Sequence, residues 1–147
     1  MKIAELMTKD VQTVTPDTDL VTVAKQMKTL DVGVIPVVEG QQLVGLITDR
    51  DIVIRAIATG VQVEQAQVRE YMSPSPTTVS PNDSVQDAAE IMAREQIRRL
   101  PVVEGGKLVG IVSIGDVAVD ARKDKLTGDA LEQISEPSRP RSSEVGR

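Results

Sequence analysis

The chain has 147 residues, 40% of them apolar, and 17 basic against 22 acidic side chains give it a net charge of −5. That length supports one compact domain, or two small halves sharing a core. The acidic balance disfavours a nucleic-acid duplex partner, which needs a basic face, and Tyr71, the lone aromatic residue, leaves no stacking platform for single strands.

The absence of Cys excludes disulfides, thiolate nucleophiles and thiolate metal sites. The absence of His removes the usual general base near neutral pH and the commonest metal ligand. The opening MKIAELMTKD meets charge within a few residues and no stretch approaches membrane-spanning length. Neither a signal peptide nor a membrane partner is expected, and the expected location is cytoplasmic.

In chain order, IAELMT predicts a short helical stretch, and TVTPDTDL is extended, with Pro16 breaking any helix and Thr18/Asp19 offering an N-cap. Leu20, Val23, Ala24, Met27 and Leu30 then recur at helical spacing and form the buried face of an amphipathic helix. VIPVVEG and QLVGLIT are short β-branched runs on either side of a tight turn, and a second helix is predicted from Asp49 to about Ala58. Residues 59–67 form a linker.

The same order then returns. A shift of 65 residues aligns Ile3 to Ile52 with Val68 to Val117 without a gap, and 16 of the 50 pairs are identical. VREYMS, TVSPNDSV, the helical set Val85, Ala88, Ala89 and Met92, the strands RLPVVEG and KLVGIVS, and a helix from Ile114 to about Ala121 make up the second copy. The expected organisation is repeat one over 1–60 and repeat two over 61–120. A C-terminal extension follows over 121–134, with Leu126, Ala130, Leu131 and Ile134 as one apolar stripe, and then a disordered Ser-, Pro- and Arg-rich tail over 135–147. Each half is an α/β unit too small to bury both faces of its own sheet, so the copies are expected to share a core.

Thr48 and Ser113 stand where a strand gives way to a helix, with Asp51 and Asp116 three positions on. Two readings are open. In one, hydroxyl and acid form a capping box, although such boxes favour Glu or Gln over the shorter Asp. In the other, the helix N-terminus receives a phosphate and the carboxylate accepts ribose hydroxyls. Gly45 and Gly110, three residues before the hydroxyl, allow close approach of either a ligand or neighbouring backbone.

The ordered set MT..V.TV.PD, IPVVEG and LVGLITDRDI, present twice at fixed spacing, resembles the CBS domain, named after cystathionine β-synthase. Two in tandem resemble a Bateman module, and the likeness spans residues 1 to about 120. It implies an α/β (α+β) fold of two β-α-β-β-α repeats related by pseudo-twofold symmetry, with two clefts between them. It also implies pairing of modules into a flat homodimer, and binding of AMP, ADP or ATP, or alternatively S-adenosylmethionine, with Mg²⁺ entering only alongside a polyphosphate.

By the same resemblance, one cleft joins Thr48 and Asp51 to Ser80, Val85, Ile97, Arg98 and Arg99. The other joins Ser113 and Asp116 to Thr15, Leu20, Val32, Gly33 and Val34. Asp holds the ribose, the hydroxyl assists, and the aliphatic side chains sandwich adenine. Arg98 and Arg99 have only Gly33 and Val34 as repeat-one counterparts, and an Arg pair suits phosphate oxygens, which favours the Asp51 cleft as phosphate binder. Arg50, whose counterpart is Gly115, is assigned to the Asp116 cleft as a compensating cation.

No enzyme is expected, because duplication sets the repeated acids in separate sites and no nucleophile–base pair is in view. The expected role is that of a regulatory nucleotide-sensing module signalling through dimer shape or a separate, unidentified regulated protein. The alternative is a structural or protein-interaction dimer with vestigial clefts.

Overall fold

The computed structural model describes residues 1–124. The expected apolar stripe at Leu126 to Ile134 and the expected tail from Ser135 lie outside the described residues. The chain divides into two compact units, and each contains one strand–turn–strand hairpin.

In the Thr48 unit, residues 12–76, the first strand of the repeat is a single parallel bridge from Val14 to Val37. The Asp19 carboxylate caps helix α1 (Leu20–Leu30), accepting hydrogen bonds from Thr22 N at 3.0 Å and Thr22 Oγ1 at 2.6 Å. The Thr22 hydroxyl, and then its N–H, hold the Asp19 carboxyl below its ordinary value of 3.8. The helix stops at Asp31 in a left-handed conformation. Strands β1 (Val34–Glu39) and β2 (Gln42–Thr48) then pair antiparallel about Gly40, whose φ of +62° suits a tight hairpin turn.

The helix predicted from Asp49 to Ala58 forms with a wider winding than expected. Asp51–Ala56 is a π-helix, followed by a 3-10 turn at Ile57–Thr59, and Ile57 N–H donates to both Ile52 O and Val53 O. The run of β-branched Ile52, Val53 and Ile54 crowds a regular α-turn. A two-residue strand β3 (Ser73–Pro74) lies along β2. The unit's core is aliphatic, with Leu20, Val23 and Met27 from α1, Ile35, Val37 and Ile47 from the hairpin, Ile52 and Ala56 from the π-helix, and Val68.

The Ser113 unit repeats this plan with residues 1–11 and 77 onward. Val79 bridges Val102 in parallel. Ser84 and Asp87 form a capping box on helix α2 (Val85–Glu95), with Asp87 N–H donating to Ser84 Oγ at 3.0 Å and Ser84 N–H to Asp87 Oδ2 at 3.2 Å. Strands β4 (Arg99–Glu104) and β5 (Lys107–Ser113) turn about Gly105 and Gly106, both at positive φ, and helix α3 spans Ile114–Asp124. Val85, Ala88, Ala89, Met92, Leu100, Val102, Val112 and Val117 fill this core.

The compact units cut across the sequence repeats. Met1–Val11 opens the first copy yet belongs to the Ser113 unit, and 68–76 opens the second copy yet belongs to the Thr48 unit. Ile3 and its counterpart Val68 are each fully buried, Ile3 in the second repeat's core and Val68 in the first's. The exchange explains the paired glycines. A Cβ on Gly110 would lie 2.7 Å from Met7 Sδ and 2.8 Å from Thr8 O, and one on Gly45 would lie 2.9 Å from Met72 Sδ and 2.8 Å from Ser73 O. Of the two roles open to these glycines, close approach of neighbouring backbone is the one the structure displays.

Candidate functional site

Each hairpin ends in the hydroxyl–acid turn, and in both copies the carboxylate folds back on its own main chain. Asp51 Oδ2 accepts Thr48 N–H at 2.9 Å, while Thr48 Oγ1 accepts Asp51 N–H at 3.0 Å. Asp116 Oδ2 accepts Ser113 N–H at 2.8 Å and lies 3.1 Å from Ser113 Oγ, which accepts Asp116 N–H at 3.3 Å. The capping reading is therefore realised twice, with Asp in the place of the longer acid. One carboxylate oxygen in each turn is left for other work.

The two turns treat that second oxygen differently. Asp51, 8% exposed, has Oδ1 facing the Arg55 guanidinium at 3.5 Å one helical turn away. Arg55 also donates to Tyr71 O at 2.7 Å, which fixes its head. Asp116 is half-buried, and its Oδ1 accepts no hydrogen bond among the described residues.

The hairpin register decides what else stands beside each turn. Val34 lies across from Thr48, and Asp49 N–H donates to Gly33 O at 2.9 Å. Correspondingly Arg99 lies across from Ser113, and Ile114 N–H donates to Arg98 O at 2.8 Å. The expected residue sets each draw on both units. Within the units, Gly33 and Val34 adjoin the Thr48–Asp51 turn, and Arg98 and Arg99 adjoin the Ser113–Asp116 turn. Of the two arginines expected to favour the Asp51 site, Arg99 thus has Ser113 as its register neighbour.

The other expected residues divide by burial. Leu20 and Val85, at 0% and 1% exposure, are core residues at the first positions of α1 and α2. Their side-chain surface is covered by aliphatic neighbours of the two cores. Val32 and Ile97 follow those helices and lie half-buried against the two cores. Thr15 N–H donates to Thr18 Oγ1 at 3.1 Å, and Ser80 Oγ accepts Asn82 N–H at 3.2 Å, so both hydroxyl residues shape the turns before the helices. Arg50 is exposed, with its backbone N–H on Asp49 Oδ1 at 2.8 Å and no ion pair among the described residues.

Three residues went unmarked in the sequence. Arg55 was legible through its i,i+4 spacing from Asp51. Asp49 places its carboxylate in the space a Gly33 side chain would fill, 3.0 Å from an ideal Cβ. Asp120, on α3, is 1% exposed and its Oδ1 has no hydrogen-bond partner among the described residues. No group of three or more acidic, His or Cys side chains that could hold a metal occurs among the described residues. No helix among them is long and apolar enough to cross a membrane.

Comparison with known proteins places the fold and the family. A CBS-domain protein of Bacillus subtilis, YhcV, is 44% identical over 133 residues, which is 90% of this chain and 94% of the relative. The crystal structure of Arabidopsis thaliana CBSX2 in complex with AMP superposes with a TM-score of 0.73 at 28% identity, covering 84% of this chain and 98% of that one. Hypoxic response protein I, solved with two coordinated zinc ions, superposes with a TM-score of 0.74 at 32% identity, covering 81% and 98%. The zinc belongs to that protein; this chain has no His and no Cys. The CBS-domain family model matches residues 3–57 and 68–119, the two repeats just described, and the chain belongs to the CBS-domain family as a tandem, non-catalytic pair.

Proposed function

We propose that the chain is a regulatory module that binds an adenosine nucleotide and reports it through dimer conformation or to a separate protein. The observation that carries this reading is the Arg98–Arg99 pair beside the Ser113–Asp116 turn. Helix α3 starts there and brings the partial positive charge of its N-terminus. The half-buried Asp116 keeps one carboxylate oxygen for a sugar hydroxyl, and the guanidinium forks match phosphate oxygens. That a related pair binds AMP supports the same class of ligand. Phosphate favours AMP, ADP or ATP over S-adenosylmethionine, and Mg²⁺ would accompany only a polyphosphate.

A second reading has its own support. Val53, Ile54 and Ile57 are each about half exposed on the helical segment after β2, an apolar face of the kind that meets another protein. Together with the self-capped carboxylates it fits an interaction module with unused sites.

A thermal-shift screen with AMP, ADP, ATP, adenosine, S-adenosylmethionine and NAD separates the two. A ligand present at about a hundred times its dissociation constant stabilises the fold by about 2.7 kcal/mol. Stabilisation by the phosphorylated adenosines, weakened in Asp116→Ala, is the result expected of a nucleotide sensor. Melting curves unmoved by any of these compounds would leave the interaction module.

A further inference from the structure

We propose that Met7 and Met72 form a paired oxidation site, at which a two-electron oxidant such as hydrogen peroxide converts both thioethers to sulfoxides and loosens the leading segments that they pin.

The chain has no Cys, so its sulfur chemistry lies in five methionines. Met1 is the exposed first residue. The other four make two pairs at the 65-residue repeat spacing, and the fold gives the pairs opposite surroundings. Met27 and Met92 sit on the buried faces of α1 and α2 at 6% and 0% exposure, shielded from an oxidant in solution. Met7 and Met72 are half-buried at the margins of the two cores, within reach of one.

Both of these sulfurs lie on a seam. A Cβ on Gly110 would be 2.7 Å from Met7 Sδ, and one on Gly45 would be 2.9 Å from Met72 Sδ, so each thioether fills the side-chain space of a strand glycine. The residue after each methionine is where the backbone of the leading segment joins the strand. Thr8 N–H donates to Ile111 O at 2.8 Å and Ile111 N–H to Thr8 O at 2.9 Å, while Ser73 and Pro74 stand in register with Leu46 and Gly45. Each thioether is thus the apolar cover beside the pairing that attaches one repeat's leading segment to the other repeat's hairpin.

Oxidation removes the reason for that contact. The sulfur lone pair attacks one peroxide oxygen, and the O–O bond breaks as the S–O bond forms. The attacked oxygen passes its proton to the departing hydroxide, which leaves as water, so sulfur is oxidised by two electrons and peroxide is reduced. The new S–O group is a strong acceptor that needs donors. The backbone atom sharing its space is another acceptor, Thr8 O or Ser73 O, each 2.8 Å from the corresponding Cβ position. The sulfoxide therefore turns out to water and leaves the glycine face uncovered. Reduction of the sulfoxide restores the contact, which makes the change reversible.

Peptide-mapping mass spectrometry and amide hydrogen exchange on the full chain, before and after hydrogen peroxide, test this. Met7 and Met72 should oxidise on the order of ten-fold faster than Met27 and Met92. Exchange at Thr8 and Ile111, and across the β2–β3 pair, should then rise on the order of ten-fold and fall back after treatment with methionine sulfoxide reductases. In Met7→Leu/Met72→Leu, which keeps apolar bulk without sulfur, peroxide should oxidise Met1 and leave exchange at the seams unchanged. Met7→Gln/Met72→Gln, with a polar side chain of similar length, should show the raised exchange without peroxide. Oxidation of Met7 and Met72 no faster than that of Met27 and Met92 would overturn the proposal. So would seams whose exchange is unmoved once both sulfoxides have formed, a comparison that needs no variant, or a peroxide effect that persists in the leucine variant.

Discussion

Thr48 and Asp51 cap each other: the Asp51 carboxylate accepts the Thr48 N–H at 2.9 Å, and the Thr48 hydroxyl accepts the Asp51 N–H at 3.0 Å. Ser113 and Asp116 do the same in the second repeat. These residues thus have a structural role in both copies. Thr48→Ala and Ser113→Ala are each expected to destabilise the protein by about 1 kcal/mol without ligand, the usual worth of an N-cap hydroxyl. Urea unfolding measures it. Unchanged midpoints would mean that the boxes contribute nothing to folding.

Gly110→Ala and Gly45→Ala should each destabilise by about 1–3 kcal/mol, the range for forcing extra carbon into a filled site. The new Cβ would meet Thr8 O or Ser73 O at 2.8 Å, and a backbone oxygen cannot swing aside as a methionine sulfur can. Adding Met7→Ala to Gly110→Ala should therefore restore only part of the loss. Full recovery in thermal melts would show that the thioether alone was in the way.

Asp120→Asn should raise the melting temperature. A buried polar atom without a partner costs about 1–3 kcal/mol, more when charged, and the amide keeps the shape while removing the charge. A lower melting temperature would reveal a donor that the Asp120 carboxylate does engage.

The Asp19 cap gives a pH dependence with a definite sign. Its folded-state pKa lies below the ordinary 3.8 because Thr22 donates to the ionised form. The stabilisation is present above the ordinary value and disappears as pH falls through the lowered one. The melting-temperature gap between wild type and Asp19→Ala should be constant from pH 7 to 5 and narrow below pH 3.8. A gap that widens on acidification would contradict the assignment.

Much of this architecture was legible because it is written in local chemistry. Asp19 and Ser84, at equivalent positions, both cap their helices, and Gly40 and Gly105 both take the positive φ that a tight hairpin needs. The exchange of leading segments was not legible. A tandem repeat read in order says which strands exist, but the choice of Ile3 for the second repeat's core is made by tertiary fit at Gly110 and Thr8. The π-helical winding of Asp51–Ala56 was hidden as well, since an apolar stripe does not distinguish one wide turn from a regular one.

The candidate site was half legible. The hydroxyl–acid pair stood out by repetition, and a hairpin turning at Gly105 already sets Arg99 across from Ser113. Arg55 and Asp120 escaped because their meaning lies in the contrast between equivalent positions, one forming an ion pair and the other buried without a donor among the described residues.

The most direct measurement is the affinity of AMP and of adenosine for the wild-type chain and for Arg98→Gly/Arg99→Val, which carries the first-repeat residues at those two positions. If the guanidinium groups hold the phosphate, AMP binds the wild type at least ten-fold tighter than adenosine, and the double variant binds both equally weakly. AMP binding of undiminished strength in the double variant would contradict the assignment of the phosphate to Arg98 and Arg99.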